Sequence, residues 1–176
     1  FTLGRLCDFV INPLPLINPL SWLKSLWQTN GVCRGEVFLN WMENLIHQRT
    51  GIEHCTFGEL QELIGKGKPF KELHVFSSRV GPNPKIVHFH ADDPMWKNLI
   101  ISDAVRASMS IPGVFVPHTL HFKEPNGTRH PRRDLGSFMD GGMLSNFPVE
   151  TFDFKGYVYR GLSEQESLAP VLNRRT

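Results

Sequence analysis

Hydrophobic and polar positions along the chain follow two different periods, which predicts a domain containing both helices and strands. Apolar residues recur at helical spacing in three segments: 36–48, 56–64 and 98–109. Short apolar runs typical of strands lie at 72–78, 85–90, 119–123, immediately before Asp140, and at 151–159. Helices interleaved with short strands favour an α/β layered domain over a helical bundle or a β-sandwich.

Local signals refine these elements. Thr56 and Glu59 have capping-box spacing, in which each side chain bonds the backbone amide of the other at a helix start. In segment 36–48, Val37, Phe38, Trp41, Leu45 and His47 recur at roughly helical spacing, which predicts a core-facing helix. We also predict that strand 119–123 pairs with the strand before Asp140, with polar residues 124–134 forming the loop between them.

Residues 9–27 form the most apolar stretch of the chain. Pro13, Pro15, Pro19 and Lys24 argue against a membrane span, because each would break or desolvate a buried helix. We predict that the stretch packs over the core; the alternative is an apolar lid or a lipid-contacting surface. The expected organisation is therefore an apolar segment at 1–30, a main domain at 31–159 and a polar tail at 160–176.

Composition and charge narrow the classes of protein to which the chain can belong. Hydrophobic residues make up 40% of the 176 residues and charged residues 20%, so a folded domain is expected. A net charge of only +2 does not suggest a nucleic-acid partner. The three cysteines, at 7, 33 and 55, match neither a disulfide framework nor a zinc site, which favours a reducing compartment.

One histidine pair raises the question of a metal site. His88 and His90 project from one face of the strand at 85–90, and Asp92 and Asp93 follow it. No further ligand stands at a recognisable spacing. We therefore favour histidines that pack or hydrogen-bond near the sheet edge, and a metal-dependent hydrolase using His88, His90 and Asp92 is the weakest of the functional alternatives.

The strongest candidate for chemistry is Asp140, which ends an apolar run and is followed by Gly141 and Gly142. An acid at the end of a strand lies at the rim of a sheet, where a ligand can reach it. The two glycines allow positive φ angles and leave room for a close approach. The alternative is an ordinary turn in which the aspartate bonds only its own backbone.

Three stretches taken together resemble the later part of the patatin-like phospholipase domain. They are Thr56-Phe-Gly-Glu-Leu60, Ala104-Val-Arg-Ala-Ser-Met-Ser-Ile-Pro-Gly-Val-Phe-Val-Pro117 and Asp140-Gly-Gly-Met-Leu-Ser-Asn-Phe-Pro148. The second and third are the specific ones, and the resemblance covers residues 31–148. It implies a three-layer α/β sandwich that is incomplete at its N-terminal side.

The resemblance also implies a chemistry. In this family a Ser-Asp dyad hydrolyses acyl esters, which assigns Asp140 as the general base and places Gly141 and Gly142 close to the substrate. The carboxylate, whose reference pKa is about 3.9, must be partly desolvated to become a stronger base. No metal or other cofactor is implied. The expected partner is a phospholipid or another acyl-ester lipid, with peripheral membrane contact and a cytoplasmic or membrane-peripheral location.

Two parts of the family pattern are missing from these 176 residues. No GxSxG nucleophile motif occurs, and the glycine-rich oxyanion loop is absent. The resemblance gives Ser108 and Ser110 a packing role beside the site. We therefore expect the nucleophile upstream of Phe1 and no activity from the isolated chain; the alternative is a non-catalytic scaffold that binds lipid or a protein.

Overall fold

The computed structural model describes residues 31–81 and 84–144. All of these belong to the first of two units, Phe1–Leu144 and Ser145–Thr176. The elements are β1 (Gly31–Cys33), α1 (Glu36–Thr50), α2 (Phe57–Gly65), β2 (Val75–Val80), β3 (Lys85–Phe89), α3 (Ile101–Ser108), β4 (Gly113–Phe115), β5 (His121–Lys123), β6 (Arg129–Pro131) and β7 (Ser137–Asp140). The predictions made for residues 1–30, for the strand at 151–159 and for the tail at 160–176 lie outside the described residues.

The strands form one three-stranded sheet and two strand pairs. In the sheet, β2 is the central strand and runs antiparallel to both β3 and β7. β1 pairs in parallel with β4, and β5 pairs antiparallel with β6. The mixture of helices and strands confirms an α/β domain, while the three-layer arrangement stays a prediction. None of the described helices is long and apolar enough to cross a bilayer.

The predicted pairing of strand 119–123 with the strand before Asp140 is reduced to one antiparallel bridge just ahead of that range, between His118 and Phe138. β5 itself pairs with β6, a strand that lies inside the expected loop, with Phe122 opposite His130. The turn between them closes through the Gly127 amide, which donates to the Glu124 carbonyl at 2.8 Å. Gly136, with φ of 82°, then redirects the chain so that β7 pairs with β2.

The helix predicted over 36–48 is confirmed as α1, but most of the residues predicted to face the core do not. Val37, Trp41 and Leu45 are 40%, 44% and 37% exposed and His47 is exposed, whereas Phe38 is half-buried and Leu39 is buried. Glu43, one turn beyond Leu39, faces α3, and its carboxylate accepts a hydrogen bond from the Ser102 hydroxyl. A carboxylate on the inward face breaks the apolar stripe, so helical spacing of hydrophobic residues pointed to the wrong side of the helix.

α3 is the most deeply buried helix among the described residues. Ala104 and Ala107 are fully buried, and these small side chains let the helix lie directly on β2 and β7. Its first and last turns bury two charged side chains, Asp103 and Arg106, at 0% and 1% exposure. Buried charges are rare unless they are paired, so these two residues direct attention to what surrounds them.

The capping box at the start of α2 is confirmed. The Thr56 hydroxyl accepts the Glu59 amide at 3.2 Å, and the Glu59 carboxylate accepts the Thr56 amide at 2.9 Å. We expect Thr56→Ala to lower the free energy of unfolding by about 1 kcal/mol, measured by urea denaturation of the protein. Thr119→Ala is the control, because Thr119 is half-buried and caps no helix; equal losses in the two variants would contradict the capping role.

Candidate active site

Asp140 is the last residue of β7 and stands opposite Ser77 of the central strand β2. Its side chain is half-buried, and Oδ1 accepts the Gly142 amide at 2.9 Å. Among the described residues, Oδ2 has no hydrogen-bond partner, and Asp140 forms no ion pair. One carboxylate oxygen is therefore held by the turn, as in the ordinary turn considered above, and the other is available to receive a proton.

The backbone amide of Asp140 is held by Ser110, which lies two residues beyond the end of α3. The amide donates to the Ser110 carbonyl at 3.0 Å. Ser110 is fully buried, and its hydroxyl donates to the Arg106 carbonyl at 2.8 Å and accepts from Arg106 Nη1 at 2.6 Å. Ser110 therefore has the packing role expected from the sequence, and it connects the end of α3 to the end of β7.

Arg106 connects two further parts of the fold, the segment of Arg34 and Gly35 and the end of β4. Nη2 donates to the Arg34 carbonyl at 2.6 Å, and the guanidinium lies over the Phe115 ring at 4.6 Å from its centroid. A Cβ on Gly35 would come 2.2 Å from Nε, so the arginine fits only because residue 35 is glycine. Burial lowers the pKa of Arg106 to about 10, which still leaves it charged at neutral pH. No pattern in the sequence pointed to this role of Arg106.

Gly141 brings two backbones together. It is buried, and a Cβ there would lie 2.7 Å from the Phe76 carbonyl oxygen and 2.9 Å from the carbonyl carbon. The expectation of positive φ angles at Gly141 and Gly142 is wrong, because both begin a 3₁₀ turn with ordinary φ. Gly141 is needed for close approach to β2, and the exposed Gly142 supplies the amide that holds Asp140.

The sequence of this chain matches the profile of the patatin-like phospholipase family over residues 6–153. The chain belongs to the patatin-like phospholipase family. The matched range includes α3, the Pro112-Gly113 turn after it and the Asp140-Gly-Gly turn, which are the parts that hold the candidate base.

Two relatives are described only as uncharacterized proteins. YqhO of Bacillus subtilis (strain 168) is 30% identical over 155 residues, which cover 84% of this chain and 44% of YqhO. Protein R571 of Acanthamoeba polyphaga mimivirus is 25% identical over 132 residues, covering 73% of this chain and 35% of the relative. The chain thus spans less than half the length of either relative. No solved structure matches it significantly.

The histidines predicted to share a strand face in this patatin-like chain lie in a histidine cluster with His74. The His88 and His90 rings lie 4.4 Å apart between centroids, and His88 Nε2 is 2.8 Å from His74 Nδ1. Burial, followed by the neighbouring histidines, lowers the pKa of His88 to about 4. His90 Nδ1 stands 3.9 Å from the Asp92 carboxylate. His88, His90 and Asp92 do not form a group whose donor atoms all lie within 4.8 Å of one another, as judged from the described residues.

A second polar cluster of this patatin-like domain surrounds Asp103, and sequence analysis did not identify it. His118 Nε2 and His121 Nδ1 both lie 2.7 Å from Asp103 Oδ1, and Arg129 Nη2 lies 3.1 Å from Oδ2. Burial alone would raise the pKa of Asp103, but the two histidine hydrogen bonds and the Arg129 charge outweigh it and hold that pKa below its ordinary value. The only signal in the sequence was His118 and His121 three positions apart, on a segment without regular periodicity.

Proposed function

We propose that this chain supplies the general base of a lipid acyl hydrolase of the phospholipase A or lysophospholipase type, with Asp140 acting in a Ser-Asp dyad. Membership of the patatin-like family indicates lipid hydrolase activity. The observation that carries the proposal is the state of Asp140, whose Oδ1 is held by Gly142 and whose Oδ2 has no partner among the described residues. A base must be both oriented and free to take a proton.

In this mechanism a serine hydroxyl attacks the ester carbonyl carbon while its proton passes to Oδ2 of Asp140. The tetrahedral intermediate collapses to an acyl-enzyme, and the departing alcohol takes the proton back from Asp140. Water then attacks the acyl group, Asp140 again accepts a proton, and release of the fatty acid returns that proton to the serine. The Gly142 amide holds Oδ1 and the Ser110 carbonyl holds the backbone amide of Asp140. These two hydrogen bonds keep Oδ2 oriented through both steps.

The nucleophile of the proposed dyad lies outside this chain. The 176 residues contain no GxSxG sequence, and the buried Ser110 is committed to Arg106. We place the nucleophilic serine and the oxyanion donors in sequence upstream of Phe1, so the isolated chain is inactive. The substrate is a phospholipid or another acyl-ester lipid, met at a membrane surface from a cytoplasmic or membrane-peripheral location.

The experiment uses protein extended upstream of Phe1. A fluorophosphonate probe should label a single glycine-flanked serine in the added sequence, located by peptide mass spectrometry, and the same protein should release fatty acid from phosphatidylcholine vesicles or from lysophosphatidylcholine. The 176-residue chain alone is the control and should show neither result. An extended protein that is folded but neither labelled nor active would favour the non-catalytic scaffold.

A further inference from the structure

We propose that Asp103, His118 and His121 form a binding site for one divalent transition-metal ion of the Zn²⁺ class. These residues have no part in the proposed dyad. Their donor atoms all lie within 4.8 Å of one another. Among the described residues, this is the group of histidine and acidic side chains close enough together to hold one metal ion. Two neutral imidazoles and one carboxylate are a donor set that Zn²⁺ and related ions accept.

The two histidine nitrogens already converge on the carboxylate oxygen. His118 Nε2 and His121 Nδ1 are each 2.7 Å from Asp103 Oδ1, where each donates a proton to that oxygen. Around Zn²⁺ in tetrahedral geometry, donors at 2.0–2.2 Å from the ion stand about 3.3 Å apart. A single ion can therefore replace the two bridging protons after each nitrogen retreats by about 0.6 Å, a shift within reach of side-chain rotation.

Ordered backbone carries each of the three donors. Asp103 lies in the first turn of α3 and is 0% exposed. His118 exchanges two backbone hydrogen bonds of 2.8 Å with Phe138 of β7, and the His121 carbonyl accepts the Ile100 amide at 3.2 Å. Because the ligands are positioned before the ion arrives, binding does not require a loop to become ordered.

An ion can reach this site from solvent. The His118 and His121 side chains are 14% and 27% exposed, while the carboxylate lies behind them. Three protein ligands with an opening to solvent leave a fourth position for water, as zinc sites with three protein ligands do. A bound ion would join α3 to β5 and to the segment paired with β7, and it would therefore raise the thermal midpoint.

Arg129 provides the sharpest diagnostic of the site. Its Nη2 lies 3.1 Å from Asp103 Oδ2, the oxygen that faces away from the two histidines. Outer partners of this kind orient a ligating carboxylate, but a fixed positive charge also repels a divalent cation. The glutamine amide of Arg129→Gln can still donate to Oδ2 and orient the carboxylate, but it carries no charge. This variant should therefore bind the metal severalfold more tightly, although the same change removes a salt bridge from the metal-free protein.

The test is Zn²⁺ titration by calorimetry at pH 7.5 into chelator-stripped protein, repeated with Co²⁺ and followed by visible absorption. One ion per chain is expected, with a higher thermal midpoint. Loss of an outer partner weakens metal binding by about tenfold. Because His118 and His121 are ligands themselves, His118→Gln and His121→Gln should each weaken Zn²⁺ binding by more than that. His88→Gln, in the histidine cluster, is the matched control and should bind Zn²⁺ as the wild-type protein does.

Any of three results would contradict the proposed metal site. These are a wild-type protein that takes up neither Zn²⁺ nor Co²⁺, histidine variants that both still take up the ion, and a His88→Gln variant that loses it. His121→Gln is the variant least exposed to folding artefacts, because that side chain is partly exposed, and circular dichroism without metal checks its fold. The readout is binding, not turnover, so the result does not depend on the hydrolase proposal; Asp140→Asn should bind metal normally.

Discussion

Asp140→Asn is expected to slow fatty-acid release by the upstream-extended protein about 10²–10⁴-fold, with little change in stability. An amide of the same shape can still accept the Gly142 hydrogen bond through its oxygen, but it cannot take the serine proton. The loss should appear in kcat more than in KM, because proton transfer belongs to the transition state. The measurement is fatty-acid release under saturating phospholipid.

Asp134→Asn is the matched control for that variant. Asp134 is an exposed carboxylate six residues earlier, held by Arg132 Nη2 at 2.7 Å, and it lies outside the proposed machinery. Its substitution should leave turnover unchanged. Thermal melting of both variants separates loss of chemistry from loss of fold. Wild-type turnover in Asp140→Asn would remove Asp140 from the mechanism.

The second large effect is expected at Arg106, where Arg106→Met should destabilise the protein by about 3 kcal/mol or more. Without the guanidinium the Arg34 carbonyl loses this donor, and the Ser110 hydroxyl keeps only its hydrogen bond to the carbonyl of residue 106. A lost hydrogen bond to a charged group costs about 1.5–3 kcal/mol, and this variant loses two of them. Since domains are stable by only about 5–15 kcal/mol, this is a large share of the total. Urea denaturation of the extended protein measures it.

Arg133→Met is the control, because Arg133 is exposed in the 3₁₀ turn before β7. Its substitution should change the free energy of unfolding by less than about 0.5 kcal/mol. Arg106→Lys should fall between the two, since lysine keeps the charge but lacks the fork that reaches two acceptors. Equal stability of Arg106→Met and Arg133→Met would contradict the role given to Arg106.

The local predictions from sequence were the reliable ones. The capping box of Thr56 and Glu59 appears as predicted, because its two hydrogen bonds span only three residues. The apolar run before Asp140 predicted a strand that ends at this residue, and β7 does end at Asp140. Boundaries shifted by a few residues elsewhere; strand 72–78, for example, became Val75–Val80.

Predictions that required a choice of partner were less reliable. β5 could have paired with β7, but it pairs with residues 129–131 instead. β7 pairs with β2 and is joined to the segment ahead of β5 by the His118–Phe138 bridge. The direction faced by α1 depended on Glu43, a carboxylate whose inward position hydropathy cannot reveal. Both choices depend on long-range contacts, which sequence spacing does not encode.

By itself, the sequence determined the α/β class, the capped start of α2, and an aspartate at a strand end followed by two glycines, because each rests on short-range periodicity or turn chemistry. Only the tertiary structure decided that the Ser110 carbonyl holds the Asp140 amide, that Gly141 must lack a side chain against Phe76, and that two histidines meet the buried Asp103. The physical reason is distance along the chain: these contacts join segments that fold together only when α3 and β7 pack on the central strand.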